Sequence, residues 1–150
     1  MSVSASISCT IHKHNAKTTW VEIIKFLLLK GWSINDHGKM SFLPVSDGGN
    51  YDWKREPIDE KKLLTLLNKK ERLGEPLGIC ITWEDSNIGG SLQTLNETEF
   101  LFCITINRKT ISFNDGGSIT DVNWYLLKLN AILSQMKDIH IISTEFNEML

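Results

Sequence analysis

The sequence predicts an α+β fold: a mainly antiparallel sheet of about six or seven strands with three flanking helices. Two observations lead there. Strand-like segments outnumber helical ones, and they cluster rather than interleaving one-for-one as a parallel βαβ chain requires. Three other stretches carry apolar residues at helical spacing. The 150 residues, 41% of them apolar, suffice for one core without disulfides or metal, so 1–150 reads as a single domain.

Residues 3–11 alternate strictly, with Val3, Ala5, Ile7, Cys9 and Ile11 set against Ser4, Ser6, Ser8 and Thr10. That is the period of a half-buried strand. Thr19-Trp20-Val21-Glu22 has the capping-box pattern. Trp20, Ile23, Ile24, Leu27 and Leu28 then follow at helical spacing, and Gly31 supplies the stop. Residues 32–34 and 40–45 flank Asn35-Asp36-His37-Gly38 and read as a hairpin, and polar residues 46–57 read as a surface loop. A second helix, 58–73, turns Leu63, Leu66, Leu67 and Leu73 one way and Lys61, Thr65, Asn68, Lys69 and Arg72 the other.

Residues 77–83 and 99–106 are the most strand-like segments, apolar on both faces as central strands are. Gly89-Gly90 between them reads as a flexible turn. Asn107-Arg108-Lys109 turns the chain into 110–113 to close a hairpin, and a turn at 115–118 precedes a third helix over 121–137. Its main stripe is Val122, Tyr125, Leu126, Leu129, Leu133 and Met136, with Trp124, Leu127 and Ala131 on the opposite side. A helix apolar on two sides is either sandwiched in the core or presents a contact patch. Residues 139–146 read as the last strand.

A net charge of −2 conceals an asymmetry. Residues 1–73 sum to +4 and residues 74–150 to −6. Between Leu73 and Asn107 there is no Lys or Arg, but Glu75, Glu84, Asp85, Glu97 and Glu99 all occur. A mixed surface of this kind excludes a polybasic tail, and the acidic stretch suits a basic partner. No signal-peptide pattern is present, and the most apolar stretch, 20–29, is too short and contains Glu22 and Lys25, so no membrane association is expected. Three cysteines without a CxxC pair suit a reducing cytoplasm.

No catalytic pattern emerges, so no enzyme activity, catalytic residue or cofactor is expected. There is no GxSxG elbow, and Asn87-Ile88-Gly89-Gly90-Ser91 lacks the P-loop ending. Cys9, His12 and His14 have a superficially metal-like spacing, but on a strand the histidines face away from Cys9. Nothing in the sequence ties His37 or His140 to them, so no metal is expected. Tyr51-Asp52-Trp53-Lys54-Arg55 interleaves aromatic and basic residues, but Asp52, Glu56, Asp59, Glu60 and Glu71 dilute the patch, and direct nucleic-acid binding is not expected.

The stretch from Gly78 to Gly90, followed by Glu99 to Lys109, resembles the strand-loop-strand surfaces of bacterial toxin-immunity proteins. These are the partners of contact-dependent growth inhibition and related polymorphic toxins. The resemblance implies tight binding to the C-terminal domain of one cognate toxin, commonly a nuclease, with its active site blocked. Nuclease domains attract phosphates and tend to be basic around the cleft, so an acidic inhibitor surface gains steering. On that reading Glu84, Asp85, Glu97 and Glu99 steer, Trp83 or Trp124 anchors, and Asn87 adds hydrogen bonds. The alternative is an interaction or homodimerisation module using Trp124, Leu127 and Ala131.

Overall fold

The computed structural model describes residues 3–149. Eight strands form the main sheet: β1 (Ser4–Lys13), β2 (Trp32–Ile34), β3 (Lys39–Phe42), β4 (Lys54–Pro57), β5 (Gly78–Trp83), β6 (Gly89–Thr94), β7 (Glu99–Ile106) and β10 (Ile139–Met149). Their order is β10-β1-β7-β6-β5-β3-β4, with β2 also paired to β5, and all pairings are antiparallel. β8 (Thr110–Ser112) and β9 (Ser118–Thr120) make a separate two-stranded hairpin. The helices are α1 (Trp20–Leu29), α2 (Glu60–Arg72), α3 (Val122–Lys128) and the single-turn α4 (Asn130–Leu133). The α+β class and the antiparallel sheet are as the sequence predicts.

Alternation decides which face is covered. Ala5, Ile7, Cys9 and Ile11 of β1, Phe100, Phe102 and Ile104 of β7, and Ile79 and Ile81 of β5 join one buried cluster. Side chains from all four helical segments belong to that same cluster, so the helices cover one face of the sheet. The other face carries small polar groups, among them Ser6, Ser8, Cys80, Ser91, Gln93 and Cys103, which successive register pairs place side by side.

The first helix starts where the sequence predicts, and the second starts at Glu60 rather than at 58. Thr19 accepts a hydrogen bond from the Glu22 amide, and Asp59 does the same for Lys62. A long-range cap adds to the first. The Glu71 carboxylate accepts from the amides of Trp20 (2.7 Å) and Val21 (3.2 Å), placing negative charge at the positive end of α1 and docking α2 against it.

Several expectations are corrected. Gly89-Gly90 is not a flexible turn. Both residues lie inside β6, flanked by β5 and β7, and both are buried. Residues 54–57, expected within a loop, form edge strand β4, whose Lys-Arg-Glu-Pro sequence has no apolar face. Segments 32–34 and 40–45 do not form a hairpin with each other. Trp32 pairs with Trp83 and Phe42 with Ile79, so β2 and β3 both lie along β5, joined by a lone Asp36–Lys39 bridge. Residues 110–112 pair with β9 rather than folding back on β7. The expected third helix breaks at Leu129, whose ψ of −68° interrupts the regular turn and separates α3 from α4.

Lys70 is another departure from the amphipathic pattern, because it is fully buried on the apolar side of α2. Its ammonium donates to the Pro44 carbonyl at 2.6 Å and lies 3.4 Å from Glu75, which also accepts from the Ser46 amide. This node pins the loop after β3 to the end of α2. Lys70→Met leaves the Pro44 carbonyl unpaired and the Glu75 carboxylate without its partner. We expect it to lower unfolding free energy by about 2–3 kcal/mol, read as a lower urea midpoint with unchanged m-value.

All three cysteines are free. Burial pushes the Cys9 thiol up, and it pushes Cys80 up to about 12 with help from the nearby Asp36 carboxylate. An exposed thiol ionises near 9, so between that pH and about 12 the unfolded chain releases a proton that folded Cys80 keeps. Stability therefore falls as pH rises through that window. At neutral pH, half-buried Cys103 should be alkylated by iodoacetamide well before Cys9 or Cys80, as peptide mapping would show.

Candidate functional site

One end of the sheet gathers residues that the sequence placed in different hypotheses. β5 delivers Trp83 to this end, and β2 delivers Trp32 directly opposite it. The two indoles meet edge-to-face at 5.6 Å. Trp32 is fully buried, also touches Phe102 and Trp124 edge-on, and donates from its indole nitrogen to the Lys128 carbonyl at 2.8 Å. That bond fixes the end of α3. The Lys128 ammonium in turn sits 4.6 Å from the Trp83 ring centre and 6.0 Å from that of Trp124. A cation over an indole face is held by the ring quadrupole, so Lys128 and the half-buried Trp83 and Trp124 form one rigid surface feature.

The loop beyond Trp83 is ordered by its own backbone. The Trp83 carbonyl accepts from the Ser86 amide (3.0 Å) and hydroxyl (2.6 Å), and the Trp83 amide donates to Ile88 (2.9 Å). Glu84 and Asn87 hold positive φ angles of 41° and 57°. Asparagine tolerates that region, whereas glutamate rarely enters it. Glu84 is kept there by the hydrogen bond its amide donates to the Gly31 carbonyl (2.8 Å), and Asn87 by the one the Asn107 side-chain amide donates to its carbonyl (2.8 Å). Gly31 is itself required, since it has φ 131° and a β-carbon there would enter the Trp83 ring.

Around this loop the side chains of Glu84, Asp85 and Asn87 point to solvent, and Leu127 on α3 is 54% exposed. Ala131 on α4 is exposed as well. The two sides of the expected third helix have distinct fates. Tyr125, Leu129 and Leu133 are buried, Trp124 packs partly against the core, and Leu127 and Ala131 remain on the surface.

Glu97 and Glu99 are not part of this surface. The β5–β6–β7 meander sends the 84–88 loop to one end of the sheet and the 95–98 turn to the other, about 20 Å away along six residues of β6. Glu99 is engaged in its own turn, where its carboxylate accepts from the Asn96 side chain at 3.0 Å. The base-free stretch therefore supplies two acidic positions at two poles. At the Trp83 pole, Glu84 and Asp85 stand beside a cation, Lys128.

A groove of about 590 Å³ lies at the Glu97 pole, lined among others by Lys13, Trp20, Tyr51, Glu71 and Glu75. The capping and bridging contacts described above already occupy the carboxylates of Glu71 and Glu75.

Sequence reasoning missed one cluster outright. His140 pairs directly with His12 across β1 and β10, and His14, just past the end of β1, brings its ring against both. The three rings lie 4.8–5.2 Å apart. The expectation that nothing ties His140 to the first pair is overturned. Only the register of two strands at opposite ends of the chain could have revealed the link.

No helix among the described residues is long and apolar enough to cross a membrane. No protein-family model, curated protein or solved structure matches the chain.

Proposed function

We propose that this protein is a non-catalytic inhibitor of the toxin-immunity kind. It acts in the cytoplasm, binding the C-terminal domain of one cognate toxin, a basic nuclease, and blocking its active site. The observation that supports this reading most is the Trp83–Lys128–Trp124 feature, two half-exposed indoles held in place beside an ordered acidic loop and an exposed Leu127. Binding energy at interfaces concentrates in aromatic anchors that lose little freedom on association. Glu84 and Asp85 add attraction for a basic surface and act mainly on the association rate. Glu97 and Glu99, at the far pole, contribute at most through the long-range field.

The experiment is co-expression with the product of the neighbouring gene, followed by affinity purification and a growth assay. A stable complex and rescue of growth are expected. Neither a complex nor rescue would overturn the reading. The exposure of Leu127 and Ala131 beside Trp124 favours self-association through the same patch as the second reading. A dimer seen by sedimentation and lost in Leu127→Asp would then take its place.

A further inference from the structure

We propose that His12, His14 and His140 form a binding site for a borderline divalent cation of the zinc, nickel or copper(II) class, and that the ion ties the last strand to the first. The site is independent of the toxin-binding reading. All three imidazoles are exposed, and those of His12 and His140 lie on the open face of the sheet. His12 and His140 are register partners, and His14, one residue past the end of β1, is held by the hydrogen bond its amide donates to the Asp138 carbonyl (2.7 Å), so backbone bonds position all three residues. Nε2 of His14 and Nδ1 of His140 are 3.0 Å apart. Two nitrogens bound to one ion at about 2.0–2.1 Å each lie roughly 3 Å apart, so this pair already has the spacing of neighbouring ligands.

Among the described residues no three His, Cys, Asp or Glu side chains are already posed around one point. The His12 ring needs a turn about its broad χ2 to bring a nitrogen toward the other two, and an exposed ring makes that motion freely. Three imidazoles leave an open position, as in three-histidine zinc sites, and imidazole is the natural donor for this class of ion. Glu99, paired with Thr10 one step along the same face, adds negative charge nearby. β10 is a sheet edge, bonded on one side only, and His12 sits on β1, His14 just past its end, and His140 on β10. An ion bound across them staples that edge.

The test is titration of the full, untagged chain with zinc chloride, by calorimetry and by thermal unfolding. One ion per chain at micromolar affinity is expected, with a Tm rise of about 5–10 °C at a hundredfold excess over Kd. His14→Ala and His140→Ala, both surface changes, should each weaken binding about tenfold or more and abolish the rise, while magnesium should do neither. No binding up to 100 µM zinc (a ceiling roughly a hundredfold above micromolar affinity) overturns the assignment. So does binding that survives both substitutions, or binding without a Tm rise, which would mean that the unfolded chain holds the ion equally well.

Discussion

Gly90→Ala should destabilise the protein by at least about 3 kcal/mol, seen as a fall in Tm of roughly 10 °C or as failure to accumulate folded protein. The residue lies in β6, paired with Ile81 of β5, at the point where the ladder to β7 slips by one residue. A β-carbon there would land well inside contact distance of the Cys103 carbonyl oxygen, and one on Gly89 would do the same at Ile81. Both obstacles are backbone atoms of neighbouring central strands, so relief requires the sheet itself to move. A flexible turn would give the opposite sign, because alanine in an unstrained loop stabilises by about 0.4–1 kcal/mol through the unfolded chain. The direction of the Tm change therefore separates the two placements of the glycine pair.

If the proposed inhibitor reading holds, Trp83→Ala should weaken the complex with the proposed toxin domain by about 2–4 kcal/mol, a loss of roughly 30- to 1000-fold in Kd, carried mainly by faster dissociation. Removing the indole takes away an anchor and releases Lys128, whose ammonium rests on that ring. It also leaves a gap beside Gly31 and Trp32, so some loss of stability accompanies it. Trp83→Phe separates the two effects: the ring still fills the gap, and affinity should fall by less. Glu84→Gln with Asp85→Asn, both on the surface, should slow association and flatten its salt dependence while leaving stability nearly unchanged.

The parts of the fold that were legible in the sequence are those where one residue pattern answers one local question. The alternation in 3–11 is a half-buried strand because the helices cover its odd face, and Thr19 caps α1 because its side chain reaches the next turn. β6 was illegible because two adjacent glycines signal a turn by themselves, and only the neighbouring carbonyls explain them. The break at Leu129 is likewise absent from the apolar stripe, which runs on through it. Lys70 reads as surface by type, and only the Pro44 carbonyl and Glu75 that meet it account for its burial.

The candidate site divides along the same line. Trp83, Glu84, Asp85 and Asn87 are consecutive or nearly so, and proximity in sequence carried them to one place. Trp124 and Leu127 join them through the Trp32–Lys128 hydrogen bond, a tertiary contact between residues 96 positions apart. Glu97 and Glu99 were grouped with them by composition, but a strand between two acidic segments separates them rather than merging them. The histidine trio reverses that error: His14 and His140 are 126 positions apart and yet within hydrogen-bond distance.

Amide hydrogen exchange on the proposed complex with a cognate toxin domain, compared with the free protein, tests most directly which end of the sheet makes contact. Protection concentrated in residues 83–88 and 122–131 is the predicted result. Protection confined to residues 95–99, or to the exposed edge of β10, would contradict the assignment of the Trp83–Lys128–Trp124 surface.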